Sequence, residues 1–485
     1  MTTQAILDWA HRTPESAALL CNGVSLTYRA FAQAIWQRRD LLLSERLPGE
    51  GLAVVVGQDL LDGWLIVHAL RSLGLDTIVV DSIDVLMSLG IRDAAAIVMT
   101  KETAETSKRP TDAPGSAKWI SVPSFLSETP GEAGLPQPGG PELPCGCHEL
   151  YTSGTTGSRK RVLLAGRNEA LRNASWVRSF GYDERSVFHA LQYPLYTGVG
   201  FLKPAAVWSV GGKVIIEQGP NPLDSLLAPD VTCSVIVPAI LEGLVAQAQA
   251  KRIQKANFQL LVAGGLLSAE LAKKAKDHLS WNVGAYYAST EIAAITLRSP
   301  YETADDLIWF QPTGLRDLEI VDGRGRECAM GVEGELRIRT TDIDARGYVD
   351  SPEASAKIFR DGCFYPGDMA VRRSDGRIRI LGRTADVLNI KGVKVAAAPI
   401  EHDIRTHLNA SEVCVFSGIG KSGSEELFVA VQSSRPLSQA QAQAISTFLP
   451  GGTRVRLATM PAFPRTTGGM AKTDRSALKR MLLEG

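Results

Sequence analysis

Apolar positions along the chain follow two rhythms. Short continuous apolar runs bounded by turn residues read as buried strands, and runs with apolar residues three and four apart read as helices. Residues 4–20 fit a helix with Ile6, Leu7, Trp9 and Ala10 on one face, and a second helix spans about 29–43. A strand at 52–57, an amphipathic helix at 60–73 and strands at 76–81 and 94–100 come next. Strand, helix and strand in this order predict a parallel, doubly wound sheet.

The rhythm breaks between 104 and 147, where eight of the 25 prolines fall, and only 119–122 reads as a strand. That stretch is expected to be a long surface connection. A second doubly wound layer is expected beyond it. It has helix 168–180, strand 188–193 and further strands at 213–217, 231–237, 258–263 and 282–287. After 296 the pattern turns to short strands at 307–310, 318–321, 334–339 and 370–373, with Asp375-Gly376 as a hairpin turn. From 382 the chain reads as a small α+β unit: helix 396–407, strands 413–416 and 427–431, helix 438–448 and a tail. The expected fold is therefore α/β. Residues 1–381 form a large N-terminal domain of two doubly wound sheets plus a small β-barrel-like subdomain. Residues 382–485 form a small mobile α+β C-terminal domain.

Composition narrows the function classes. Lys+Arg and Asp+Glu both number 52, so no net field draws the chain to nucleic acid or to an anionic membrane. No apolar run reaches the ~18 residues of a membrane helix, and no basic leader precedes an apolar core at the N-terminus. A cytoplasmic location is the expectation. Seven scattered cysteines suggest no disulfide framework. Cys145-Gly-Cys147-His148 could supply half of a metal site, but no second Cys/His cluster completes four ligands, so no metal is expected there.

Chemistry concentrates first in residues 151–162, Tyr-Thr-Ser-Gly-Thr-Thr-Gly-Ser-Arg-Lys-Arg-Val. Its glycines and hydroxyls suit a polyphosphate cradle, and equally a turn between strands. The spacing Gly154-x-x-Gly157-x-x-Lys160 is not that of a Walker loop. Four further signals follow in order: Ala263-Gly264-Gly265, Tyr287-Ala288-Ser289-Thr290-Glu291, Gly367-Asp368 with Gly382-Arg383-Thr384-Ala385-Asp386, and the tail 464–475 around Lys472.

With these five signals the chain resembles the adenylate-forming superfamily of acyl- and aryl-CoA synthetases, peptide-synthetase adenylation domains and luciferases. The resemblance runs from Leu26 to Lys472. It implies that Thr152, Ser153, Gly154, Thr155, Thr156, Gly157 and Lys160 grip the ATP β- and γ-phosphates. Thr290 would donate to the α-phosphate, and Glu291 would hold Mg2+, a hard cation that takes oxygen ligands. Asp368 would accept the ribose hydroxyls, Arg383 would add a ribose or phosphate contact, and Tyr287, beside Ala288 and Ser289, would stack on adenine. Gly264 and Gly265 would leave bare backbone beside adenine and the acid. Lys472 would be the catalytic lysine, orienting and neutralising a carboxylate and the α-phosphate it attacks. The C-terminal domain would swing about a hinge at 384–386.

The chain departs from the family pattern at several places. Ala288 and Ala471 stand where glycine is usual, Pro366 where threonine is usual, Ala385 at the hinge position and Arg161 at another glycine. The tail carries two extra residues before Lys472. The segment Pro194-Leu-Tyr-Thr-Gly-Val-Gly-Phe201 resembles that of aryl- and acyl-CoA ligases, with Thr197 at their histidine. No aspartate for an α-amino group is found there, which disfavours a free α-amino acid. An aromatic, cyclic or aliphatic carboxylic acid is expected, in a pocket walled by Tyr193, Thr197, Val199, Val237, Pro238, Gly264 and Tyr286. The acceptor would be coenzyme A or a carrier-protein phosphopantetheine, or alternatively an amine. Lys391 and Lys394 are the candidates for a CoA phosphate contact. A nucleotide-binding protein that has lost the chemistry is the remaining alternative.

Overall fold

The computed structural model describes residues 1–107, 109–110, 117–127, 134–138, 141–153, 159–217, 219, 222–265, 267–390, 393–419, 425–449, 455–465 and 473–484. Two large mixed sheets carry the first two thirds of the chain. In the first, the parallel strands run in the order Ser280–Tyr287, Ala256–Val262, Cys233–Ile236, Val187–His189, Lys213–Ile216 and Ala17–Cys21, with antiparallel strands at both ends. In the second, His148–Ser153, Asp76–Val80, Leu52–Val56, Ala96–Thr100 and Lys118–Val122 are parallel. Arg159–Leu164 and Tyr348–Val349 extend that sheet antiparallel.

The helix Leu60–Ser72 is buried at every residue, so the amphipathic reading of 60–73 is corrected. Its core cluster contains Val55 and Val79 of one sheet and Leu19 and Val214 of the other, so no side of the helix is left for water. Its few charges are neutralised: Arg38 pairs with Asp62 at 3.4 Å and Arg71 with Glu169 at 2.6 Å. Asp59 starts the helix by accepting from the Asp62 N–H at 2.8 Å.

The expected helix 4–20 is two elements. Thr2–Arg12 is helical, and Ala17–Cys21 is a strand parallel to Lys213–Ile216. Pro14 disfavours helical geometry at Thr13, whose φ is −137°. Beyond it an apolar run finds a sheet edge. Strand 188–193 is shorter than expected and ends at His189, since Leu191 turns to a φ of 53°. Residues 304–307 form a 3-10 turn instead of leading into a strand, and only Phe310 bridges, to Ile378.

A third, antiparallel sheet of six strands holds Leu318–Val321, Glu333–Arg339, Asp368–Arg372 and Ile378–Arg383. The Asp375-Gly376 turn closes the hairpin between the last two, with the Gly376 N–H donating to Arg373. The chain ends in a three-stranded sheet, Val413–Ile419, Glu425–Gln432 and Val455–Met460, with helices Ala397–Leu408 and Arg475–Glu484. The two core clusters there begin at Leu388 and contain no earlier residue. Between the regions, Gly382 adopts φ +122°, and a Cβ on it would lie 2.9 Å from the Ala398 Cβ. Only glycine fits this close approach.

Candidate active site

The strands on either side of the hydroxyl-rich stretch, His148–Ser153 and Arg159–Leu164, pair antiparallel. Thr152 pairs with Lys160 and Ser153 with Arg159 across antiparallel strands. Gly154, Thr155, Thr156 and Gly157 lie outside the described residues. The base is tied to the 194–197 segment. The Tyr151 ring stacks on Tyr196 at 4.2 Å, and the Tyr196 hydroxyl donates to Asp81 at 2.9 Å.

Arg161 fills the position where glycine was expected, and the hairpin accounts for it. Its buried guanidinium pairs with Glu149 on the adjacent strand at 3.3 Å and with Asp350. Burial pushes the Glu149 carboxyl up to about 7, against the opposing pull of Arg161.

Arg161 and Val162 also pair with Val349 and Tyr348. This puts the Tyr348 hydroxyl where it donates to Glu291 Oε1 at 2.8 Å, while Ser289 donates to Glu291 Oε2. Lys160 Nζ stands 4.9 Å over the Tyr348 ring. Glu291 is buried and its backbone carbonyl accepts from the Ala345 N–H at 2.9 Å. Sequence reasoning missed Tyr348. It sits in a two-residue strand, too short for any periodicity to mark.

The parallel strands of the first sheet end at the other candidate residues. Ser280–Tyr287 runs into Ala288, Ser289, Thr290 and Glu291, and Ala256–Val262 into Gly264 and Gly265. This is the edge where open α/β sheets place ligands. Gly264 has φ +76°, and a Cβ on Gly265 would meet Pro238 at 3.2 Å. Thr197 begins the helix Gly198–Ser209. Its hydroxyl accepts from the Gly200 N–H at 3.0 Å and donates to the Pro194 carbonyl at 2.7 Å. A Cβ on Gly198 would lie 3.8 Å from Thr290 Oγ1, so the helix begins beside Thr290. Tyr193 is buried and accepts from the Val237 N–H at 2.9 Å. Tyr286 is buried and meets Phe180 edge-on at 5.7 Å. Val199 packs partly buried against both large cores.

Asp368 and Arg383 are direct partners in the hairpin register. Arg383 Nε lies 3.3 Å from Asp368 Oδ1, and the Tyr287 hydroxyl donates to Oδ2. Burial, then the Asp368 carboxylate, pushes the Tyr287 phenol well above its ordinary value, so it remains a donor.

Lys472 lies outside the described residues, but the ends of its segment are anchored. Arg465 and Thr473 form a bridge, and both bind Glu412. Arg475 holds Asp386 at 3.3 Å and Glu401 at 2.8 Å. Lys391 also lies outside the described residues, and Lys394 is in the strand Val393–Ala396.

Among the described residues, no group of three His, Cys, Asp or Glu side chains is arranged to hold a metal. A single carboxylate suits Mg2+, which usually takes one or two carboxylates together with substrate phosphates. Glu291 fits that need. Among the described residues, no helix is long and apolar enough to cross a membrane.

Comparison with known proteins bears on this arrangement. A family model described as AMP-binding enzyme matches residues 48–349. Pyochelin synthase PchD of Pseudomonas aeruginosa is 26% identical over 351 residues, which are 69% of this chain and 64% of that protein. Against bacitracin synthase 3 of Bacillus licheniformis, 29% identical over 325 residues and 62% of this chain, the match covers 5% of the relative. The chain thus spans less than two thirds of these relatives. Among solved structures, the anthranilate CoA ligase AuaEII in complex with anthranoyl-AMP superposes with a TM-score of 0.80 at 18% identity, covering 99% of this chain and 96% of that one. The amide bond synthetase McbA from Marinactinospora thermotolerans gives 0.80 at 17% identity, covering 99% of each chain. Both share this fold.

Proposed function

The chain belongs to the AMP-binding enzyme family, and from that premise we propose that it is an ATP-dependent carboxylic acid ligase. It joins the acid to AMP, releases pyrophosphate and passes the acyl group to a thiol, either coenzyme A or a carrier-protein phosphopantetheine. The reading is supported above all by the meeting of Glu291, Tyr348 and Lys160 beside the phosphate hairpin, with Asp368 held by Tyr287 and Arg383.

In the first step a carboxylate oxygen attacks the α-phosphorus and the pyrophosphate oxygen leaves. Loop residues 152–157 and Lys160 hold the leaving pyrophosphate, and Thr290 donates to the α-phosphate. Asp368 accepts the ribose hydroxyls, for which the Tyr287 and Arg383 contacts orient it. Lys472 brings the two anions together and offsets the charge that gathers on phosphorus. Glu291 would hold Mg2+, which when bound would supply charge neutralisation at the phosphates. The acid lies among Tyr193, Val199, Val237 and Tyr286, and is not a free α-amino acid. Thr197 acts there as a helix cap and leaves the room a histidine would fill. Residues 1–381 and 382–485 act as two units hinged near 384–386.

The second reading passes the acyl adenylate to an amine. It is favoured by the likeness to an amide bond synthetase and by Ala385 at the hinge position.

ATP–pyrophosphate exchange over a panel of acids tests the first step. Exchange with at least one aromatic or cyclic acid is expected, and none with any acid on folded protein overturns the proposal. Lys472→Ala should lower exchange by roughly a hundredfold or more while ATP still binds. Unchanged exchange would remove the lysine from the mechanism. Product masses with coenzyme A, a carrier protein or free amines then identify the acceptor.

A further inference from the structure

Lys160 and Glu291 carry opposite charges in one site, and the acid-activation reading needs both of them free. The ammonium is wanted by the phosphates and the carboxylate by Mg2+. Two such groups attract strongly where water is scarce. Yet they are not paired with each other, and among the described residues neither has an ion-pair partner. One side chain touches both. The Tyr348 hydroxyl donates to Glu291 Oε1 at 2.8 Å, and Lys160 Nζ stands 4.9 Å over the face of the Tyr348 ring.

Three local features hold Tyr348 in that place. It pairs with Val162 across antiparallel strands, so Lys160, two residues from Val162 on the same face, is its diagonal neighbour and within reach of a long side chain. The Tyr348 N–H donates to the Ser355 hydroxyl at 2.8 Å. Its ring meets Phe359 edge-on at 6.2 Å. The phenol therefore has little freedom to turn away. Ser289, the other donor to Glu291, rotates about a single bond and gives way to an incoming ligand. A ring needed only to pack against Phe359 could be phenylalanine. The hydroxyl adds a hydrogen bond to a charged acceptor, which is the stronger kind. The ring face adds a weak seat for a cation, one that a triphosphate displaces.

We infer that Tyr348 is a positioning residue that keeps Lys160 and Glu291 from neutralising each other. This rests on the acid-activation reading above and adds a residue to it. Before ATP arrives, the phenol ties Glu291 by one oxygen and the ring face seats Lys160, so both groups meet the nucleotide charged and unpaired. Without the hydroxyl, Glu291 loses its fixed orientation toward the ion. Without the ring as well, Lys160 reaches Glu291 and each blocks the other.

The test measures ATP binding to the full chain by calorimetry, in EDTA and over a series of Mg2+ concentrations. Tyr348→Phe keeps the ring and loses the hydroxyl. It should raise the Mg2+ concentration that half-maximally tightens ATP binding by about tenfold, and leave binding in EDTA within about twofold of wild type. Tyr348→Leu loses both contacts and should also weaken binding in EDTA by about fivefold or more. Adding Glu291→Gln to Tyr348→Leu should restore that binding, because the competing charge is gone. Where Tyr348→Leu does not fold, Tyr348→Phe decides alone. An unchanged Mg2+ midpoint in Tyr348→Phe, an equal loss with and without Mg2+, or no rescue by Glu291→Gln overturns the inference. So does wild-type binding that Mg2+ leaves unaltered. The expected binding pattern without ATP–pyrophosphate exchange on any acid would instead sink the ligase reading and leave the role of Tyr348 standing. No ATP binding by folded wild type overturns both.

Discussion

Arg161 and Glu149 show how one position outside the expected pattern is absorbed. The sequence marks Arg161 as an odd basic residue at the end of a loop. The folded chain buries it between Glu149 of the adjacent strand and Asp350, just past the strand Tyr348–Val349. Glu149 carries a consequence for stability. Its folded value is raised from an ordinary 4.5 to about 7. The unfolded chain then ionises this group at lower pH than the folded chain does, so stability present below about 4.5 is lost as pH rises through 7. Glu149→Gln should remove that slope, a difference on the order of 1–3 kcal/mol across the window. Melting temperatures of both proteins between pH 5 and 8 check it, and parallel curves would refute it. At this scale the sequence was legible where a residue belongs to a strand-end motif, as with Glu291 and Asp368. Tyr348 was not legible. It matters through a register between strands almost 190 positions apart.

Turns and caps do the positioning among elements. The Asp375-Gly376 turn fixes a register in which Asp368 faces Arg383, and that hairpin could be read from the sequence. The helix that begins at Thr197 depends on a backbone approach that could not. A Cβ on Gly200 would sit 2.1 Å from the Pro194 carbonyl oxygen and 2.4 Å from that of Tyr193. Gly200→Ala should therefore shift the turn bearing Thr197, at a cost of about 2 kcal/mol or more. A melt would show the loss, and exchange activity should fall with it because the turn abuts Thr290. A variant as stable and as active as wild type would contradict the account. The failed reading of 4–20 has the same origin. Periodicity alone cannot tell a helix from a buried strand over a short apolar run, and Ala17–Cys21 is decided by its partner strand almost 200 residues later.

At the scale of the whole molecule, the cores after Leu388 close on themselves. Arg475 joins that region's pieces, reaching Asp386 in the Thr384–Asp386 turn, Glu401 on the helix and the Val415 carbonyl. Arg475→Ala should loosen this unit by on the order of 2 kcal/mol. Hydrogen exchange should quicken at 384–408 and 413–419 while 52–100 keeps its protection. Equal loss of protection everywhere would mean the two regions fold as one. The alternation of apolar runs disclosed both large sheets and the change of character after 296. It did not disclose that one segment fastens them together. Asp344 holds Arg316 at 2.9 Å and the Ala293 N–H at 2.7 Å, Ala345 holds the Glu291 carbonyl, and Tyr348 joins both Glu291 and Val162. Anyone splicing this chain with a relative to exchange acid preference thus inherits a constraint on the seam. A crossover inside 341–350 separates Glu291 from the strand that braces it, so the segment has to travel whole with residues 148–164 and 287–293.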